Sequence, residues 1–315
     1  MGLSHNSIAA GLITAVLVSS SPAAEKDVFD FAAQKAAPST MKKIVFVADA
    51  GSHGARGNHE FVAGAILLAR MINAAYPDSA YAVVHSKNHW PTDLSYADAV
   101  IVLLNHGGSA VNPAVQAAVD RGAGFMAVHY GVEVNKGKQG DAFLKWIGGY
   151  FETYWSVNPH WNAEVKVDTN HPVGHGAKPF TVNDEWYYHM RFVDGMVGVT
   201  PILSAVPPPS SLHGKEPSER GNNPTVAVEV AAHKPQVLAW AYERPNHGGR
   251  GFGFTGYHVH ANLLNDSFRT VLLNAVAWTA GLEAPAGGVP SKTPTAKELD
   301  QLIDEGQKAV REYGI

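Results

Sequence analysis

The chain contains no cysteine, and this absence excludes disulfides, thiolate metal sites and a cysteine nucleophile. It also lacks a phosphate-binding loop, a Gly-x-Ser-x-Gly turn and the His-Glu-x-x-His helix of zinc proteases. Residues 251–256 match the dinucleotide glycine pattern, but no helix is predicted immediately after them. We therefore expect neither serine-triad hydrolysis nor a nucleotide cofactor.

Basic residues are not in excess, because 24 Lys and Arg stand against 28 Asp and Glu for a formal net charge of −4. Without a basic field, nucleic acid is not an expected partner. The apolar run at residues 7–18 is too short to cross a bilayer, so no stable membrane span is predicted. Small residues up to Ala24 follow this run, although no Lys or Arg precedes it. We interpret residues 1–24 as a signal peptide and expect export to the periplasm or the extracellular space.

Downstream of a polar N-terminal extension, residues 25–41, short apolar strands alternate with helices. This alternation predicts βαβ units in a mostly parallel sheet with helices on both faces. The second half carries additional β signals at 163–167, 200–206, 237–244 and 251–257. We assign residues 42–282 to this α/β domain and residues 283–315 to a linker and a C-terminal helix.

Most of the 16 histidines lie in short clusters with glycine, asparagine and acidic residues. Neutral imidazole binds divalent metals and transfers protons near neutral pH. His53, His106 and His129 each lie close behind a predicted strand. Ligands bind outside the carboxyl ends of parallel strands, so these histidines should converge in one polar pocket despite their separation in sequence.

Two residue pairs indicate a metal site within that pocket. His258 and His260 are two apart near the end of a predicted strand, which would place both on one face. Glu185 and His189 are four apart, which would place both on one face of a helix. Imidazoles with a carboxylate suit Zn²⁺ or a similar divalent ion. The alternatives are solvent-facing or hydrogen-bonded histidines, simple packing of the aromatic residues between Glu185 and His189, and a metal-free acid–base relay.

Aromatic residues near the histidine clusters indicate a sugar-binding surface, because flat rings stack on the C–H faces of sugars. The candidates are Tyr130, Trp155, Trp186 and Tyr187. Ordinary core packing is the alternative for at least half of the aromatic residues in this region.

Several motifs occur together in a fixed order along the chain. They are Ser52-His53-Gly54, His129-Tyr130, Trp-Ile-Gly-Gly-Tyr-Phe at 146–151, Asp184-Glu185-Trp186-Tyr187, and the late strand that leads into Gly256-Tyr257-His258. From about Lys42 to Gly281, this combination resembles the trehalose-utilisation (ThuA-like) family. The resemblance implies a flavodoxin-like fold of the class I glutamine-amidotransferase type. In that superfamily a cysteine nucleophile follows a central strand. Here Val-His-Tyr at 128–130 occupies the corresponding turn, so glutaminase chemistry by that mechanism is excluded.

The resemblance also implies a link to disaccharide and glycoside catabolism. A ketone at carbon 3 of a sugar acidifies the proton at carbon 2, and its removal allows elimination of the glycosidic bond followed by hydration. We therefore expect a metal-assisted enzyme that cleaves 3-keto-glycosides or related keto-sugars by elimination and hydration or by hydrolysis. The metal-ligand candidates are His129, Glu185, His189 and His258. The catalytic candidates are His53, His59, His106, Glu133 and His260.

Two other functions stay open at this point. The chain could be a non-catalytic sugar-binding protein, although its many titratable clusters argue against that. It could also be a metal-dependent amide or ester hydrolase. A homo-oligomer is equally open.

Overall fold

The computed structural model describes residues 26–51, 53–212, 220–221 and 223–313. The segment interpreted as a signal peptide lies outside the described residues. Within the part of the chain that is described, no helix is both long and apolar enough to cross a membrane.

The described residues form seven α-helices and eleven β-strands. The helices are α1 (Phe31–Ala36), α2 (Phe61–Ala75), α3 (Pro113–Asp120), α4 (Lys138–Ile147), α5 (Pro224–Ala231), α6 (Asp266–Thr279) and α7 (Ala296–Tyr313). The strands are β1 (Lys42–Ala48), β2 (Ala80–Ser86), β3 (Ala99–Leu103), β4 (Gly124–Val128), β5 (Gly149–Tyr150), β6 (His160–Val167), β7 (Phe180–Glu185), β8 (Arg191–Phe192), β9 (Val199–Ala205), β10 (Gln236–Glu243) and β11 (Arg250–Phe254).

Nine strands form one mixed sheet in the order β2-β1-β3-β4-β11-β10-β9-β6-β7, and β5 pairs with β8 in a separate ribbon. The five strands from β2 to β11 are parallel to one another. The remaining strands of the sheet pair antiparallel. This architecture confirms the predicted α/β class, with a parallel sheet and additional β elements from the second half of the chain.

Alternation along β1 shows how the sheet separates two cores. Ile44 and Phe46 face a core that includes the apolar residues of α2 and α6. Val45 and Val47 face a second core, which includes those of α3 and α4. Because both faces are covered, the parallel strands are apolar at nearly every position. By contrast, β6 alternates between exposed and buried residues. The buried apolar side of α7 packs on α2, outside the first core layer.

The short helix α1 lies within the segment predicted as a polar extension. Its Gln34 is fully buried and donates hydrogen bonds to the carbonyls of Ile44 and Tyr81. Val28 is buried in the first core, and Phe31 stacks on His85, so part of this segment packs on the edge of the sheet through both apolar and polar contacts.

Candidate metal centre

His129 occupies a sharp turn at the carboxyl end of β4. The strand ends at Val128, and a 3₁₀ turn begins at His129, whose φ of 53° lies in the left-handed region. Such a conformation is costly for a residue with a side chain, and it persists only where the surroundings enforce it. The turn expected after the strand at residues 128–130 is therefore present, with an imidazole on it.

Four side chains from distant parts of the sequence meet at this turn. The ligand atoms of His59, His129, Glu185 and His258 all lie within 4.8 Å of one another. Glu185 Oε2 is 3.0 Å from His258 Nδ1 and 3.3 Å from His129 Nε2. His59 Nε2 lies 3.2 Å from His129 Nε2. Among the described residues, this is the only group of His, Asp and Glu side chains that could hold a metal ion.

Backbone carbonyls fix the protonation of two of these rings. His59 Nδ1 is 2.9 Å from the carbonyl of His53, and His129 Nδ1 is 2.9 Å from the carbonyl of Thr255. A carbonyl only accepts, so both Nδ1 atoms must carry the proton. In the neutral rings, both Nε2 atoms then present lone pairs to the centre of the cluster. Burial, followed by the neighbouring His129, lowers the pKa of His59 to about 3, which keeps its ring neutral.

Glu185 supplies the negative charge of the cluster from the end of β7. Its Oε1 accepts a hydrogen bond of 2.9 Å from the amide of Asn158, which leaves Oε2 directed at the histidines. Burial opposes its ionisation, but the facing imidazoles of His129 and His258 outweigh burial and hold the pKa of Glu185 below its usual range. Glu185 is therefore an anion beside largely buried imidazoles.

Asp184 positions the turn that carries His258. Its carboxylate is fully buried and accepts hydrogen bonds from the backbone amides of Tyr257 and His258, both at 2.9 Å. It also accepts one of 2.8 Å from the side chain of Asn262. Asp184 and Glu185 are adjacent in sequence, so the residue that anchors His258 is covalently linked to the residue that faces it.

The expectation that His258 and His260 share a face is wrong. β11 ends at Phe254, and Tyr257 has a φ of 90°, so the strand alternation is lost before either histidine. His258 joins the cluster, whereas His260 Nδ1 lies 2.8 Å from the hydroxyl of Tyr257. Burial lowers the pKa of His260 to about 4.

The helical interpretation of Glu185 to His189 is also wrong. Glu185 ends a strand, and His189 has a φ of 56°, so the four-residue spacing does not place them on one helical face. His189 is not part of the cluster. Its Nδ1 donates to the carbonyl of Trp155 at 2.9 Å, and its Nε2 is 3.6 Å from Glu229. His59, expected as a catalytic residue, occupies the fourth position of the cluster.

His53 packs against the cluster and His106 lies near Tyr130, and the two rings have opposite tautomeric states. The His53 ring stacks on His59 with centroids 3.7 Å apart, and its Nδ1 is 2.7 Å from Asn105 Oδ1. The Asn105 amide nitrogen donates to the Gly51 carbonyl, which fixes the amide oxygen toward His53. His53 therefore donates through Nδ1 and presents an unprotonated Nε2. His106 Nδ1 accepts from the amide of Gly108 at 3.1 Å, so its neutral ring carries the proton on Nε2.

Glu133 is held in an ion pair and cannot act as a free base in this arrangement. Its carboxylate is buried, and both of its oxygens accept hydrogen bonds from the guanidinium of Arg220, the shortest at 2.7 Å. The same guanidinium donates to the hydroxyl of Tyr130 at 3.2 Å.

Of the four aromatic candidates, two are buried in the protein and two are partly exposed. Trp186 is fully buried and packs on Phe254 and Phe268, so it offers no surface to a sugar. Tyr187 is also buried, but its hydroxyl is 3.5 Å from His129 Nε2. Tyr130 and Trp155 are partly exposed. The Trp155 ring carries the guanidinium of Arg191 at 3.7 Å, which covers one of its faces.

Comparison with known proteins places the chain in a family. The ThuA family, described as trehalose utilisation, matches residues 53–279. The chain belongs to the ThuA family. Among curated proteins, none matches it significantly. Family membership suggests a role in the utilisation of trehalose or a related sugar.

Two solved ThuA-like proteins have similar structures. One, from Bacteroides uniformis, superposes with a TM-score of 0.53 at 18% identity, covering 77% of this chain and 92% of that chain. Another, from Parabacteroides merdae, gives a TM-score of 0.47 at 15% identity, covering 81% and 94%. The first likeness supports the flavodoxin-like fold expected from the sequence.

Sequence reasoning missed the residues that orient the cluster rather than form it. Asn105 is next to His106, and Asp184 is next to Glu185, so adjacency to a candidate was the only available signal for them. Asn158 had none, because it reaches Glu185 through the pairing of β6 with β7. His160, whose ring centroid is 4.5 Å from that of His258, begins β6 and was equally inconspicuous.

Proposed function

We propose that this ThuA-family chain is a metal-dependent enzyme of sugar utilisation that cleaves 3-keto-glycosides or related keto-sugars. One observation carries the proposal: the Nε2 atoms of His59 and His129, which carry lone pairs when both rings are neutral, lie 3.2 Å apart beside a carboxylate oxygen. Electron pairs so close together require positive charge between them. A proton bridges only two of these atoms, whereas a divalent cation accepts electron pairs from all four residues of the cluster.

The donor set suits Zn²⁺ or a similar divalent transition metal, because such ions favour imidazole nitrogen together with carboxylate oxygen. His59, His129, Glu185 and His258 would hold the ion. The hydrogen bonds behind His59 and His129 resemble the outer contacts that orient histidine ligands in metal proteins. The bound ion would act as a Lewis acid toward the keto oxygen of the sugar.

His53 is the base that we assign to this reaction. Its Nδ1 proton is held by Asn105, so Nε2 is free to accept a proton, and the ring lies directly against the ligand His59. Asn105 thus orients His53 in the way that a third group orients the base in other enzymes. Since Glu133 is paired with Arg220, it does not compete for this role.

His106 is the complementary donor. Its Nε2 carries a proton in the neutral ring, and its ring centroid is 6.2 Å from that of the partly exposed Tyr130. Burial lowers the pKa of His106, which favours the neutral ring and therefore this single proton. We assign it to the leaving oxygen or to a sugar hydroxyl.

These assignments give a balanced reaction. His53 removes the proton from carbon 2, the electron pair forms a double bond between carbons 1 and 2, and the bond from carbon 1 to the glycosidic oxygen breaks. The leaving oxygen takes a proton and departs as an alcohol. Water then adds across the double bond, with its oxygen on carbon 1 and a proton returned to carbon 2. The sum is hydrolysis of the glycoside.

Metal analysis of the purified protein, joined to an activity assay, tests the proposal. We expect one divalent ion per chain and turnover of a 3-keto-glycoside that chelation abolishes and added metal restores. His129→Ala should lose both the ion and the activity, with the circular dichroism spectrum retained.

The substrates of the assay distinguish the other functions. Intact glycosides that bind tightly in calorimetry, without product by mass spectrometry, would indicate a binding protein. Turnover of simple amides or esters, but of no keto-sugar, would indicate a metal-dependent hydrolase. Protein without stoichiometric metal, whose activity neither chelation nor His129→Ala changes, would refute the metal centre.

A further inference from the structure

The C-terminal helix α7 is attached to the segment that supplies His59. Arg56 lies three residues before His59 and makes three hydrogen bonds to this helix. Its guanidinium bonds the carboxylates of Asp300 and Asp304, each at 2.9 Å, and the carbonyl of Asp300 at 3.0 Å. The helix is well formed at its start, where Thr295 and Glu298 cap one another reciprocally.

The segment from residue 53 to residue 60 contains unfavourable backbone conformations, so contacts with α7 would stabilise it. His59 has a φ of 54°, and both Gly54 and Gly57 also have positive φ. Glycine in a fixed conformation loses more chain entropy than other residues, and a left-handed histidine is strained. Hydrogen bonds within the segment orient the His59 ring, and contacts outside the segment are needed to fix its position in the protein.

The other end of the segment is tied to the residues that carry His258. The His59 amide donates to the carbonyl of His258 at 2.9 Å, and the His260 amide donates to the carbonyl of Gly57 at 2.8 Å. The 3₁₀ turn that begins at His260 also contacts α7. His59 and His258, two of the four residues of the cluster, therefore lie in segments that are hydrogen-bonded to each other and that contact α7.

We propose that Arg56 and α7 form a brace that holds His59 in its ligand position. This inference rests on the proposed metal centre for its functional consequence. The family match ends at residue 279, before α7 begins, so α7 lies outside the matched region whereas Arg56 lies inside it. The pairs are exposed, and exposed ion pairs add little to global stability. Arg56 is accordingly a positioning residue, whose loss should change the segment and leave the fold intact.

Arg56→Ala and Arg70→Ala make a matched pair for the test. Arg70 also reaches α7, through Glu305, but it does so from the middle of α2 rather than from the segment before His59. Each full-length variant is examined by hydrogen exchange of the peptide that contains residues 57–60 and by titration with Zn²⁺ or Co²⁺. Their unfolding temperatures are compared with that of the unchanged protein.

We expect Arg56→Ala to accelerate exchange in this peptide and to weaken metal affinity by roughly 10-fold, as outer contacts of metal ligands do. Arg70→Ala should do neither. Combining Arg56→Ala with Asp300→Asn and Asp304→Asn should add nothing further, because the three residues act as one unit. Unchanged exchange in Arg56→Ala, or equal effects of both variants, would overturn the brace. Faster exchange in a protein that binds no metal at all would support the brace and refute the metal centre instead.

Discussion

Two histidine–carboxylate pairs in this protein look alike locally and differ in their surroundings. His258 lies 3.0 Å from Glu185, and His189 lies 3.6 Å from Glu229. Both histidines are largely buried. Around the first pair, His59 and His129 add two further imidazoles. Around the second pair, the partners are Trp155 and Lys234, which supply a ring, a carbonyl and a compensating positive charge.

The difference shows what distinguishes a cluster that could hold a metal ion from a common histidine–carboxylate contact. The pair of His189 and Glu229 is already balanced, because Lys234 and Gln236 bond the carboxylate. The pair of His258 and Glu185 instead faces the Nε2 atoms of His59 and His129, which follow the parallel strands β1 and β4 in the chain. The parallel part of the sheet gathers loops at one edge, whereas the antiparallel part delivers the carboxylate to that edge.

The largest effect is expected when one histidine of each pair is replaced and metal binding by the two variants is compared. His258→Ala removes a proposed ligand, so metal affinity should fall by more than the roughly 100-fold upper limit typical of outer-shell contacts, and turnover should fall to background. His189→Ala should keep its full metal content. Elemental analysis and Zn²⁺ titration of both variants measure the contrast. Equal metal loss in the two variants would mean that a histidine–carboxylate pair alone determines metal binding, and that the additional imidazoles of His59 and His129 do not.

A smaller effect is expected from the base. His53→Ala should lower kcat by about 10²- to 10⁴-fold, the usual contribution of a positioned acid or base, while metal content stays at the level of the unchanged protein. His89→Ala, an exposed histidine in a nearby 3₁₀ turn, is the control and should leave kcat unchanged. Loss of metal in His53→Ala would assign this residue to the ion rather than to proton transfer.

The smallest of these effects concerns the anchor of His258. Asp184→Asn replaces one carboxylate oxygen by an amide group that faces donors, so the turn at Tyr257 and His258 should loosen. We expect metal affinity to weaken by about 10- to 100-fold, as for other outer-shell partners. Asp168→Asn, at a turn outside the cluster, is the matched control. Titrations with one metal at one pH compare the two, and identical affinities would show that Asp184 has a purely structural role.

The same contrast explains how much the sequence could predict. The parallel strands were predicted well because burial on both faces leaves apolar runs that end in polar turns, as at β4 and His129. Convergence of His129 and His258 followed from that topology, since β4 and β11 are neighbours.

The antiparallel part was harder to predict. The spacing of Glu185 and His189 fits a helix, but pairing of β7 with β6 holds Glu185 in a strand instead. No local pattern reports such a pairing, because His160, the partner of Glu185 in β6, lies 25 residues earlier along the chain. The tautomers of His59 and His129 could not be predicted either, since they depend on which backbone carbonyl lies next to each ring.

Those carbonyls have a consequence for how the centre can change. The groups that set the rings of His59 and His129 belong to the main chain of His53 and Thr255, and every amino acid has a main-chain carbonyl. Substitution at position 53 or 255 therefore alters the chemistry nearby without releasing either imidazole. Side chains at positions 53 and 255 can therefore change while the rings of His59 and His129 keep their orientation. Only a shift of the backbone would turn these rings.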